Sequence, residues 1–296
     1  MIFRYFRFVK LEHTLFSLPI VFSGVFLALE LSPPEPSLSV SAYFWIFVAV
    51  FTARSAGFAM NRIIDHKIDK KNRRTQMREI PAGLISVRSA WIFVALHILI
   101  FFFAAYRIAP LCLWLSPVPM GLFLIYPFLK RWTAWTHLGL GLAWGVAPMG
   151  GWLAVSPELL PLSRLTPALL LVIFSIFWVA GFDVLYALLD MEFDQSEGLF
   201  SLPAAVGKIR AQRFAAGFHL IAYIFLALLA IGYLRNFASL SLLLLVGILF
   251  ILSHWKVNAN GVTPQVINFA FFKVNAAMGF VVLALIIVPL VLGRTG

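Results

Sequence analysis

Charge is scarce in this chain of 296 residues. Only 12% of them are Asp, Glu, Lys or Arg, about half the share of an ordinary soluble domain. With a hydrophobic share of 62% and a mean hydropathy of +0.95, that scarcity excludes a water-soluble globular fold. Cysteine is almost missing too. Cys112 is the single one, so an intramolecular disulfide and any metal site built from thiolates are excluded. Negative charge is the rarer sign, with 12 acidic residues against 23 Lys and Arg. A net charge of +11 can signal nucleic acid. In a chain this apolar the basic residues read instead as loop charges that set orientation in a bilayer, and no nucleic-acid partner is expected.

What the chain has in abundance is long apolar runs. A helix needs about 20 mostly apolar residues to cross a bilayer. Runs that qualify begin near Thr14, Val40, Ser89, Pro110, Thr136, Thr166, Gln212, Ala238 and Asn268. The expectation is an all-α polytopic membrane protein of about nine transmembrane helices. The first run, Thr14–Leu31, is long and has no small-residue cleavage site after it, so it reads as a span and not as a removable signal peptide. The fourth run holds Pro117, Pro119 and Pro127, which predicts kinks. The fifth holds Gly139, Gly141, Gly145, Gly150 and Gly151, which suits close helix packing.

Lys and Arg fix the expected orientation. With the N-terminus in the cytoplasm, 17 of them fall in cytoplasmic segments and 4 on the other side; Arg54 and Arg62, near the end of the second run, complete the 23. That bias predicts a cytoplasmic N-terminus and puts both acidic clusters on the cytoplasmic side; the membrane expected is a bacterial-type inner membrane.

The five aspartates are not scattered. They form Asn61-x-x-x-Asp65-x-x-x-Asp69 and Asp183-x-x-Tyr186-x-x-x-Asp190-x-x-x-Asp194, each at the expected cytoplasmic end of a span. Carboxylates at the edge of hydrocarbon are costly and mark a functional site. The two Asp-x-x-x-Asp pairs are 125 residues apart in both members, and each is followed by a short loop with Pro-Ala, Pro81-Ala82 and Pro203-Ala204. The chain therefore reads as one integral membrane domain over 1–296. Two related halves, about 1–130 and 131–296, are an open reading that would set the clusters face to face.

Residues four apart share a helix face, so each cluster reads as a ladder of oxygens, with Glu192 pointing elsewhere as a solvated neighbour. Amide and carboxylate oxygens are hard ligands suited to Mg2+, which keeps waters and shares its shell with substrate phosphates. Two such ladders would clamp a diphosphate through Mg2+. Lys67, Arg74, Arg78 and Lys130 are candidates to complete the neutralisation. Tyr126 and Lys130 are four apart, so a phenol and an ammonium can reach one phosphate oxygen.

The same residues resemble the UbiA superfamily of intramembrane prenyltransferases. Asn61-Arg-Ile-Ile-Asp65-His-Lys-Ile-Asp69, with Asn72, Arg74, Thr75, Arg78, Pro81 and Gly83 after it, is similar to the first motif of that family. Asp183-Val-Leu-Tyr186-Ala-Leu-Leu-Asp190-Met-Glu-Phe-Asp194, with Ser201-Leu-Pro203 and Gly207, is similar to the second, and Tyr126-Pro-Phe-Leu-Lys130-Arg131 to the segment between them. The resemblance implies nine helices around a central cavity. It implies Asn61, Asp65, Asp69, Asp183, Asp190 and Asp194 as the Mg2+ site, and Tyr126, Lys130 and Arg78 as diphosphate contacts. One departure is Arg62, where many members carry Asp; about 100° from Asn61 around the helix, it suits phosphate or acceptor better than metal. The Asn-Arg form and Lys10-x-Glu12-His13-Thr14 resemble the branch of 4-hydroxybenzoate polyprenyltransferases, which includes dihydroxynaphthoate prenylation in menaquinone synthesis.

The implied reaction is transfer of a polyprenyl group from polyprenyl diphosphate to an aromatic acid in quinone biosynthesis, with 4-hydroxybenzoate as the leading acceptor. 1,4-Dihydroxy-6-naphthoate, homogentisate, haem and chlorophyllide are alternatives. Arg54 and Arg62 are candidates for the acceptor carboxylate and His13 for an acceptor contact. Asp65, Asp190 and Asp183 are the candidate catalytic residues, with Asp190 or Asp183 as the base. His97, His137, His219 and His254 stand singly in sequence, so they read as structural. A cation-coupled secondary transporter is the non-enzyme reading. Carboxylates at helix ends beside a basic loop favour phosphate chemistry over midplane transport.

Overall fold

In hydrocarbon a polypeptide must satisfy its own N–H and C=O groups, and a helix does so within one segment. The computed structural model describes residues 2–10, 14–32, 38–158 and 161–292; helices carry nearly all of them, with no strand among the described residues. Sixteen α-helices are described. They are α1 (Ile2–Phe8), α2 (Thr14–Leu31), α3 (Val40–Ile64), α4 (His66–Lys71), α5 (Val87–Ile108), α6 (Pro110–Leu115), α7 (Pro117–Leu129), α8 (Thr136–Gly145), α9 (Ala147–Val155), α10 (Leu162–Ala187), α11 (Met191–Ser196), α12 (Leu202–Val206), α13 (Lys208–Leu229), α14 (Phe237–Asn260), α15 (Pro264–Asn268) and α16 (Asn275–Leu292).

Among the described residues, eight continuous or interrupted helices are long and apolar enough to cross a membrane. They are α3, α5, α6 with α7, α8 with α9, α10 with α11, α13 with its π-helical end, α14, and α15 with α16. The apolar helix α2, Thr14–Leu31, accounts for the first of the nine expected runs. Large apolar side chains stand exposed along these helices, among them Leu99, Trp114, Ile248 and Ile251. Helices apolar on every side belong in lipid. The protein is an all-α, multi-pass membrane protein.

The interruptions have local causes. The fourth run breaks at Ser116, whose hydroxyl donates to the Leu113 carbonyl at 2.6 Å, just before the ring of Pro117, which cannot donate an N–H. The fifth run is interrupted at Val146, where α8 hands over to α9 with Pro148 in its first turn.

Contacts divide the chain into two units, 1–18 with 38–128 and 19–37 with 129–296. In the smaller unit α3 packs chiefly on α5. In the larger, α10 packs on α8 and α13, and α14 on α16. Glycine sets the spacing there. A Cβ on Gly141 or Gly145 of α8 would strike the backbone of Ile176 in α10, and one on Gly151 of α9 would strike the Val21 carbonyl of α2.

Candidate active site

The first acidic motif belongs to the smaller unit. Asn61 lies in the last turn of α3, Asp65 joins α3 to α4, and Asp69 lies within α4. Asp65 has φ −92° and ψ 0°, in the sparsely populated bridge region. The straight ladder expected from the spacing is therefore bent at its middle rung. One residue on, Nδ1 of His66 donates to the Ile63 carbonyl at 2.7 Å, a carbonyl that a continuous helix would give to the N–H of Lys67.

The second motif, in the larger unit, bends at the same place. Asp183 and Tyr186 lie on α10, a 3-10 turn covers Leu188–Asp190, and Asp194 lies on α11. Asp190 has φ −108° and ψ 4°. Asp65 and Asp190, the first acid of each Asp-x-x-x-Asp pair, thus share one unusual backbone conformation. Glu192 is exposed, as expected.

Each carboxylate has defined neighbours. Asp65 and Asp69 are 4% and 5% exposed. The amide Nδ2 of Asn61 donates to Asp65 Oδ2 at 3.3 Å. Nη1 of Arg78 donates to both oxygens of Asp69 at 2.8 Å. The loop after α4 folds back on this motif: Thr75 Oγ1 donates to the Asp69 carbonyl at 3.1 Å, and Asn72 Oδ1 accepts from the Arg74 N–H at 2.8 Å. Lys67 and Arg74 are exposed. In the larger unit Ser201 donates to Asp194 Oδ2 at 2.8 Å. Tyr126 lies in the last turn of α7 and Lys130 just beyond its end; the Lys130 carbonyl accepts from the Phe200 N–H at 2.7 Å.

The acceptor candidates are buried on α3. Arg54 donates from Nη1 to the Val9 carbonyl and from Nη2 to the Lys10 carbonyl, both at 2.9 Å. Arg62 donates to Glu79 Oε2 at 2.9 Å. Phe58 lies under both guanidinium groups, at 5.3 and 5.1 Å. His13 lies outside the described residues. Arg54 holds the end of α1, where Lys10 takes φ 50°, so one substitution can separate two roles. Arg54→Ala is expected to raise KM for the aromatic acid about tenfold, the scale of one lost charged hydrogen bond, with KM for the diphosphate substrate little changed. An unchanged acid KM with a lowered melting temperature would leave Arg54 as a clamp on α1 alone.

Histidines that stand singly in sequence meet partners in space. His219 and His254 pair, Nδ1 of the first lying 2.9 Å from Nε2 of the second, and His219 borders a small cavity of about 10 Å³ with Tyr186, Ser253 and Asn275. That is room for about one water. Nδ1 of His137 lies 2.7 Å from Asp183 Oδ2. Glu79, the partner of Arg62, was not singled out from the sequence at all.

The UbiA prenyltransferase family profile matches residues 17–276. The chain belongs to this family. It is 34% identical over 218 residues to the 4-hydroxybenzoate octaprenyltransferase of Serratia proteamaculans, covering 73% of this chain and 72% of that one. It is 33% identical over 209 residues to the enzyme of the same description from Yersinia enterocolitica, covering 70% of each. Among solved structures, the apo UbiA homologue from Aeropyrum pernix superposes with a TM-score of 0.83 at 31% identity, covering 94% of this chain and 98% of that one. The Archaeoglobus fulgidus UbiA homologue bound to GPP and Mg2+ shares the fold at 18% identity, with a TM-score of 0.71 over 96% of this chain and 99% of that one.

This UbiA-family prenyltransferase offers oxygen donors only at its acidic motifs, the chemistry of a hard divalent cation. Among the described residues, no three Asp, Glu, His or Cys side chains converge as a ready-made cage. A cation that keeps waters and takes phosphate oxygens needs few protein ligands, and this donor set fits it. One oxygen of Asp183 is committed to His137, and Asp69 is committed to Arg78.

Proposed function

We propose that this protein transfers a polyprenyl group from polyprenyl diphosphate to the ring of 4-hydroxybenzoate. The reaction would need Mg2+ and would run at the cytoplasmic side of a bacterial-type inner membrane, with the N-terminus on that side. The observation that carries the acceptor is the likeness to 4-hydroxybenzoate octaprenyltransferases over nearly three-quarters of both chains. The metal and the diphosphate are supported by the oxygen donors of the two motifs and by the Archaeoglobus homologue that holds GPP and Mg2+.

Asn61, Asp65, Asp69, Asp183, Asp190 and Asp194 are the residues that would hold the metal. When bound, Mg2+ supplies a Lewis acid that lowers the cost of charge growing on the departing diphosphate. The protein side chains do the rest. Arg78, Arg74, Lys67, Lys130 and Tyr126 bind diphosphate oxygens and orient the leaving group. The allylic C–O bond breaks with its electron pair going to diphosphate, and the allylic carbon bonds to a ring carbon of the acid. The ring proton passes to Asp190 or Asp183, which restores aromaticity. Arg54, Arg62 and His13 would hold the acceptor. A dry site keeps water from capturing the allylic cation.

The test is turnover by purified protein in detergent, with a polyprenyl diphosphate and Mg2+. 4-Hydroxybenzoate, 1,4-dihydroxy-6-naphthoate, homogentisate or no acceptor is supplied in parallel, and product is detected by mass. Prenylated 4-hydroxybenzoate is expected, lost on addition of EDTA and restored by Mg2+. Product with another acceptor alone would overturn the acceptor assignment, and product that survives chelation would overturn the metal.

A further inference from the structure

We infer that His137 is a positioning residue for Asp183, holding one oxygen of that carboxylate and so fixing the orientation in which the other would take a divalent cation. The inference rests on the reading of Asp183 as a metal ligand. His137 stands in the first turn of α8 and is 2% exposed. Its Nδ1 lies 2.7 Å from Asp183 Oδ2 on α10. Its Nε2 lies 3.3 Å from the N–H of Leu202, the first residue of α12.

A backbone N–H can only donate, so Nε2 is the acceptor. A neutral imidazole has one donor and one acceptor, so the proton sits on Nδ1 and points at Asp183. The Leu202 N–H would otherwise be one of the orphan donors at a helix start. Here it selects the tautomer that the carboxylate needs. Such partners orient the ligands of a metal site and set their basicity.

The same short segment reaches the far end of the motif. Ser201 caps α12, accepting from the Ala204 N–H at 3.3 Å, and its hydroxyl donates to Asp194 at 2.8 Å. Ser201 and Leu202 therefore steady both outer carboxylates of the second motif, one directly and one through His137. Nothing in the local sequence announces this link, since His137 and Asp183 are 46 residues apart.

Two substitutions separate the two ring nitrogens. In His137→Asn the amide nitrogen stands near the place of Nδ1 and can still donate to Asp183. In His137→Gln the amide reaches the place of Nε2, and the donor to Asp183 is lost. The probe is Mn2+ titrated by electron paramagnetic resonance into the full chain in detergent, with a non-reacting prenyl thiolodiphosphate present. His137→Asn should bind Mn2+ within about threefold of the parent and His137→Gln about 10- to 100-fold more weakly, the span seen when a ligand's supporting partner is removed. In turnover, the Gln variant should need correspondingly more Mg2+, with KM for the acid unchanged.

Parent-like Mn2+ affinity in the Gln variant would overturn the inference, and so would equal losses in both variants. Asp183→Ala separates the underlying reading: if it too keeps parent affinity, Asp183 is no ligand. If it loses affinity while His137→Gln keeps it, only the positioning role fails. A further check needs no variant to fold. In histidine labelled with 15N, the His137 Nδ1–H resonance should shift when Mg2+ and the thiolodiphosphate saturate the parent protein. A resonance that stays fixed through saturation would overturn the inference.

Discussion

Asp65→Ala and Asp190→Ala should each lower turnover by about 10³-fold, because a bound cation supplies several kcal/mol of charge stabilisation to the departing group. The fold should survive both. Each residue sits where helix gives way to a short new turn, with φ and ψ near −100° and 0° (−92° and 0° for Asp65, −108° and 4° for Asp190). Residues held in that region cluster at functional sites. Asp65 is buried and Asp190 partly so, and removing either carboxylate removes a charge that costs energy to desolvate, so each variant should lose no more than about 1 kcal/mol of stability. The measurement is turnover beside thermal melting in detergent. Loss of both activity and fold would make the bend a structural device. Retention of activity within about tenfold in both variants, a deficit near 1.4 kcal/mol, would remove the two acids from the chemistry.

The second large effect belongs to the scaffold and comes from two adjacent glycines. Gly151→Ala places a Cβ against the Val21 carbonyl and 3.0 Å from the Val25 amide nitrogen, while at Gly150 an added Cβ has nothing within 4 Å. The obstruction is backbone, which cannot rotate away, so α2 and α9 must separate. Overpacking of this kind costs about 1–3 kcal/mol. Gly150→Ala, on the same helix, should instead stabilise by about 0.5–1 kcal/mol, the helical preference of alanine over glycine. Opposite shifts in melting temperature check the pair. Equal shifts would show that the close α2–α9 approach does not limit stability.

Much of this architecture is legible from composition. Among the described residues, eight of the nine apolar runs recur as helices long and apolar enough to cross a membrane, and the first recurs as α2, Thr14–Leu31. Hydropathy works because a membrane forbids unsatisfied backbone, leaving helix as the outcome for any long apolar run. The fourth run bends at Pro117, a local consequence of a missing N–H. The fifth bends at Val146, where Pro148 in the next turn gives the same reason, although the run's glycines had suggested only close packing.

The acidic motifs were legible as motifs and as a family signature, because their spacing is short-range. Their shape was not. Spacing of four residues implies one continuous helix face, and the helix breaks at Asp65 and again at Asp190.

The sequence by itself determined that this protein lies in a membrane, that it is helical, and which acids and bases carry its signature. These follow from local quantities, namely hydropathy over about 20 residues and periodicity over one or two turns. Only the tertiary structure decided which side chains meet. Arg62 finds Glu79 across 17 residues, Arg54 holds the carbonyls of Val9 and Lys10 across 45 and 44, His219 meets His254 across 35, and His137 reaches both Asp183 and Leu202 across 46 and 65. Such pairs form because a buried polar group must find a partner wherever packing brings one, and no pattern along a single segment records where that will be.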